Sequence, residues 1–161
     1  MHGGGDLFED RAFLDGLDLE TNGRAAVAFD ANGDGALDLF VRSVQAPEAL
    51  FLGSRRDGEH FLRVRLVGTT GRDNHDGIGA RIEATLPSGR RIVTENANAS
   101  GYLSTGSPIV HLGLGKDTVL ESLTVTWPSG FVQKLGRVDP VDRVILVDEA
   151  RGVQASDQRA R

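Results

Sequence analysis

From about residue 60 to residue 149, apolar and polar residues alternate with a period of two. That is the pattern of strands with one buried and one wet face. In "HFLRVRLVG", Leu62, Val64 and Leu66 face one way and Phe61, Arg63 and Arg65 the other. "GARIEATLP" sets Ile82, Ala84 and Leu86 against Arg81, Glu83 and Thr85. The pattern continues through "RRIVTENA", "PIVHLGLG", "ESLTVTW", "FVQKLGRV" and "DRVILVDEA". "PSGRR" and "WPSGFV" carry Pro-Ser-Gly turn signals that join neighbouring strands as hairpins. About seven short strands result, with turn signals at the spacing expected of a sandwich or barrel, and the reading adopted is a seven-stranded β-sandwich of jelly-roll or immunoglobulin-like type. Trp127 shares a side with Leu123 and Val125 and reads as a core residue.

Residues 24–53 differ. "RAAVAFD", "ALDLFVRS" and "EALFLG" are three short apolar strands around an acidic loop, and the polar "SRRDGE" marks their boundary with the sandwich. Helix signals are scarce: "FEDRAFLDGLDL" is interrupted by Gly16 and predicts one or two turns at most. The chain reads as all-β, with an N-terminal unit over 6–55, a sandwich over 59–150 and a flexible tail over 151–161.

Composition narrows the function classes. The 161 residues suit a single domain of ordinary size. The net charge is −5, with the acid excess concentrated in the first 40 residues, which argues against a nucleic-acid surface. No apolar run approaches the roughly 18–20 residues of a membrane span. The absence of cysteine excludes disulfides, thiolate zinc sites and cysteine nucleophiles. "MHGGGDLFED" lacks an apolar signal core, as expected of a cytoplasmic chain or one already relieved of its signal. The four histidines show no ligand spacing. Ser88 and Ser129 sit in hairpin turns outside any Gly-x-Ser-x-Gly frame. No catalytic constellation emerges, and the expectation is a non-enzyme.

The chemistry concentrates in "FDANGDGALDLF". Numbered from Asp30, side-chain oxygens fall at positions 1, 3, 5 and 9 (Asp30, Asn32, Asp34 and Asp38), and position 7, Ala36, offers its carbonyl. Calcium takes six to eight hard oxygens in flexible geometry, and alternate positions on a loop curled by Gly33 and Gly35 supply most of them. An EF-hand would need a bidentate Glu at position 12 and flanking helices; Val41 stands there and the flanks are strands. The expected ion is therefore structural rather than regulatory. Two further loops are candidate ligand surfaces. "TGRDNHDGIG" gathers Asp73, Asn74, His75 and Asp76, and "NANASGYLSTGSP" presents Tyr102 for stacking on a sugar ring and the acceptor sequence Asn98-Ala99-Ser100.

"LFEDRAFLDGL", "GRAAVAFDANGDGALDLFV" and "EALFLG" together resemble one FG-GAP repeat of the integrin-α-type, VCBS-like β-propeller class. In that family an Asp-x-Asp/Asn-x-Asp-Gly-x-x-Asp loop binds calcium, which falls here on Asp30, Asn32, Asp34, Ala36 (through its carbonyl) and Asp38. "DGIGARIEATLPSGRR", "ASGYLSTGSPIVHLGLG" and "LTVTWPSGFVQKL" resemble the ASPIC/UnbV domain found in the cartilage acidic protein family. The resemblance implies a secreted, periplasmic or cell-surface calcium-binding adhesion or binding module. Its ligand would be a protein or a glycan; the alternative is a carbohydrate-binding sandwich. One propeller blade leaves its edges and faces unpaired. The expectation is a piece of a longer protein whose remaining blades, or a second copy, cover it.

Overall fold

The structure is a computed structural model describing residues 10–97 and 99–155. Among these residues it is all-β, and no helix is long and apolar enough to cross a membrane. The helix candidate amounts to a turn, in which the amides of Asp15 and Leu17 donate to the carbonyls of Arg11 and Ala12.

A three-stranded antiparallel sheet comes first: β1 (Asn22–Phe29), β2 (Asp38–Val44) and β3 (Ala49–Phe51), in that spatial order. The acidic loop joins β1 to β2, and Phe29 pairs with Asp38 at its base. Two four-stranded sheets form the sandwich. One orders β11 (Val132–Val138), β10 (Leu120–Thr126), β5 (Arg81–Thr85) and β6 (Arg91–Glu95). The other orders β13 (Gly152–Ala155), β12 (Arg143–Asp148), β4 (His60–Val67) and β9 (Ile109–Gly115). A small hairpin, β7 (Ala99–Gly101) with β8 (Ser104–Thr105), lies against β1.

Alternation places the core as the sequence pattern requires. Leu62, Val64 and Leu66 of β4, Ile82 and Ala84 of β5, and Val125 of β10 are essentially inaccessible, as is Trp127, whose indole N–H donates to Gln133 Oε1 at 2.9 Å. Both expected hairpins close: the Gly89 amide donates to the Leu86 carbonyl and the Gly130 amide to the Trp127 carbonyl, each glycine at positive φ. The sandwich differs from expectation in two respects. It has eight strands rather than seven, because residues 152–155, expected in the flexible tail, extend one sheet by pairing antiparallel with Ile145–Asp148. A short polar segment gives no periodic signal of its own, and an open sheet edge is enough to order it. The second sheet is also mixed, since β12 runs parallel to β4 while β9 runs antiparallel to it.

The turn that leads into β13 is held by two buried acids. Glu149 accepts the hydroxyl and the amide of Thr70 and the Arg72 guanidinium Nε at 3.1 Å. Asp148 accepts the Thr69 hydroxyl and the amides of Ala150 and Arg151. The Thr70 hydroxyl, with its amide and Arg72, outweighs burial and holds the Glu149 carboxyl below its ordinary value. Burial raises Asp148, but the Thr69 hydroxyl and the two amides together bring it below its own. Carboxyls depressed in the folded state contribute stability that is complete above their unfolded values and lost as pH falls through the folded ones. Chemical denaturation between pH 7 and pH 2 should therefore show stability declining once pH drops below about 4.5. Glu149→Gln should lower stability at pH 7 and flatten that acid decline.

Candidate functional site

The acidic loop is curled by Gly33 and Gly35, at φ 80° and 88°, a conformation in which side-chain-bearing residues are strained. Its polar side chains turn onto its own backbone. Asp30 accepts the amides of Gly33 (2.7 Å, Oδ1) and Gly35 (3.0 Å, Oδ2). Asn32 accepts the Asp34 amide and donates its side-chain N–H to Asp34 Oδ2, while Asp34 Oδ1 accepts the Ala36 amide. Asp38, buried on the returning strand, accepts the amides of Ala31 at 2.7 Å and Gly53 at 2.8 Å, tying the loop to the segment that follows β3. The Ala36 amide, the Asn32 side chain and the nearby Arg55 charge hold the Asp34 carboxyl below its ordinary value.

The loop does not stand free. Asp30 Oδ2 receives Arg63 Nη1 of β4 at 2.8 Å, with the Asp30 carboxylate 3% and the Arg63 side chain 16% exposed. Gly35 sits against the ring of Phe61: a Cβ there would lie 2.0 Å from Phe61 Cε1. The Phe61 ring also stacks on His111 of β9 at 5.7 Å, and the Arg63 and Arg55 guanidinium carbons lie 5.6 and 5.5 Å from its centroid. Asp142 fastens the connecting segment, accepting Arg55 Nη1 at 3.1 Å, the Phe61 amide at 3.1 Å, and sharing a 2.7 Å hydrogen bond with His60 Nδ1. Phe61 and Arg63 are thus the residues that sequence reasoning missed. Alternation set them opposite the core face of β4, and the signal available was a phenylalanine at an outward position.

A cleft of about 310 Å³ opens beside this contact, lined by Asp30, Arg63, Glu95, Asn96, Ser107 and His111 among others. Arg63 Nε and His111 Nδ1 are buried there without hydrogen-bond partners. Burial, opposed by Asp30 and reinforced by Arg63, lowers the His111 pKa below its ordinary value.

The other expected site residues are scattered. Asp73 accepts the amide and hydroxyl of Ser129 at 2.7 and 2.6 Å, bracing the β10–β11 hairpin. Asn74 pinches its own loop by exchanging hydrogen bonds with the backbone of Ile78. Asp76 is exposed, and its carboxylate lies 2.9 Å from Nδ1 of the neighbouring His75. Tyr102 stands 75% exposed at the tip of the β7–β8 hairpin, beside Leu103 at 75% and at φ 53°. Asn98 lies outside the described residues.

With this geometry in place, comparison with known proteins is informative. The ASPIC and UnbV family profile matches residues 68–154, from the end of β4 into β13. The chain belongs to that family. Cartilage acidic protein 1 of Homo sapiens is 36% identical over 131 residues, covering 79% of this chain and 19% of that protein. The Mus musculus protein of the same name is 35% identical over 131 residues, covering 79% and 20%. The Xenopus tropicalis protein is 33% identical over 123 residues, covering 72% and 18%. The chain spans about a fifth of the length of these curated relatives. The matched residues take in the sandwich strands from β5 onward, while β4 and the acidic loop precede them.

Does the loop suit calcium? Its donor set is hard oxygen throughout, which fits. Among the described residues, however, no three acidic or histidine side chains stand together in metal-holding geometry, because each loop carboxylate oxygen is engaged by an N–H group.

Gly35 is the most constrained backbone position in the site. Gly35→Ala should destabilise the protein by about 1–3 kcal/mol, from strain at positive φ plus displacement of the Phe61 ring. Gly33→Ala, with open space at its Cβ, should show the backbone share alone. Urea denaturation of the two variants separates the contributions.

Proposed function

We propose that this chain is a non-enzymatic extracellular binding module of the adhesion type whose acidic loop takes a structural calcium ion, as in an FG-GAP repeat. The observation that carries the reading is the loop itself: alternate oxygen side chains on a glycine-curled connection between two paired strands. Asp30, Asn32, Asp34, Asp38 and the Ala36 carbonyl would hold the ion. When bound, the ion supplies two positive charges against three mutually repelling carboxylates. Asp30 and Asp38 are fixed by amide hydrogen bonds at the strand ends, whereas Asn32 and Asp34 are exposed and bonded mainly to each other. Those two are the members free to re-aim. A ligand that binds only the folded state stabilises it by mass action, which is how the loop would secure the β1–β2 connection.

Calcium titration by calorimetry tests this. The wild-type chain should bind one equivalent, and its melting temperature should rise in millimolar calcium relative to EDTA. Asp34→Ala should abolish both effects while leaving the EDTA melt nearly unchanged, because Asp34 is exposed and its hydrogen bonds are local. No heat and no shift in the wild type would discard the reading.

A second reading, a carbohydrate-binding sandwich, is favoured by the exposed Tyr102 beside the apolar Leu103. An aromatic face held out on a hairpin is the form in which proteins stack on sugar rings. Glycan-array binding that disappears in Tyr102→Ala would support it, and silence across the array would remove it.

A further inference from the structure

We infer that the Arg63 guanidinium is the resident counter-cation of the acidic loop: it clamps the loop to the sandwich without metal and competes with a bound cation for Asp30. The competition rests on the calcium reading above; the clamp does not.

Four observations carry the inference. The Arg63–Asp30 pair joins two units that are 33 residues apart in sequence, at 2.8 Å and largely out of solvent. Such a pair is screened far less than a surface one. Asp30 Oδ2, the oxygen that takes Arg63, also receives the Gly35 amide, so one atom links the curl of the loop to its docking. The contact is backed by shape, since Gly35 lies against a Phe61 ring fixed by His111 and by the Arg55 and Arg63 guanidinium groups. Finally, Arg63 buries its Nε without a hydrogen-bond partner, while its Nη1 is spent on Asp30, so the Asp30 carboxylate is the partner that holds the guanidinium in place.

Two consequences follow from elementary electrostatics. With Arg63 neutralised, Asp30 becomes a buried carboxylate sustained only by amides, and the loop loosens. A divalent ion at the loop and a guanidinium at the same carboxylate repel, so removing one positive charge strengthens attraction for the other. Loop docking and cation affinity are then coupled with negative sign and, by linkage, reciprocally.

The experiment compares wild type, Arg63→Met, Asp30→Asn and the double variant by thermal melting in EDTA, then titrates each with calcium chloride by calorimetry. Met keeps an apolar stem over Phe61 while deleting the charge, and Arg63→Lys, which keeps the charge, is the control. In EDTA, Arg63→Met should lower Tm by about 3–6 °C. Arg63→Lys should recover most of that loss, and the double variant should lose less than the sum of the singles. In calcium, Arg63→Met should recover Tm and bind about tenfold more tightly than wild type. An unchanged Arg63→Met melt, or strict additivity with Asp30→Asn, overturns the clamp. Calcium binding of equal strength to wild type and Arg63→Met overturns the competition and leaves the calcium reading standing. Coupled losses in EDTA with no calcium response in any variant keep the clamp and remove both the competition and the calcium reading.

Discussion

Burial of the core face of β4, with the cover that Phe61 and Arg63 give and receive on its other face, is the constraint on which this structure turns. Leu62, Val64 and Leu66 fill the space between the two four-stranded sheets, where complete removal of each side chain from water is worth about 1.5–3 kcal/mol. On the other face, Phe61 and Arg63 receive the acidic loop. At its edges β4 pairs with β9 in antiparallel and β12 in parallel register, and Arg65 is left as its exposed residue. The family-matched sandwich and the N-terminal sheet meet on it.

The N-terminal sheet depends on that meeting because it has little core of its own. Val27, Phe29, Leu39, Phe40, Val41 and Phe51 are only partly covered, and Leu37, Val44, Leu50 and Leu52 are exposed. A three-stranded sheet needs packing against something to be stable. What it has among the described residues is the β7–β8 hairpin against β1 and the loop against β4. The acidic loop is consequently both the chemical centre of the chain and its mechanical joint.

The polar network at the sandwich end has a different character. Asp73, Asp148 and Glu149 are all engaged by hydroxyls and amides of neighbouring turns, and Gly77 lies so close to Leu66 that an added Cβ would be 2.7 Å from the Leu66 Cβ. Within residues 68–79, Asp73 holds the Ser129 amide and hydroxyl and Asn74 holds the Ile78 backbone, while the Asp76 carboxylate is exposed beside His75. Asn32, Asp34 and Tyr102 are exposed as well, the first two bonded to each other within the loop.

Strand periodicity and turn chemistry are local properties, and the sequence by itself determined what they control: the all-β class, the sides of β4, β5 and β10 that enter the core, both Pro-Ser-Gly hairpins and the curl of the acidic loop. Each follows from steric rules acting over a few residues. The strand at Gly152–Ala155, the parallel pairing of β12 with β4, and the fate of Asp73, Asn74, Phe61, Arg63 and His111 were decided only by the tertiary structure. Those outcomes depend on partners far away along the chain, and a period of two states which residues share a face without stating what will cover it.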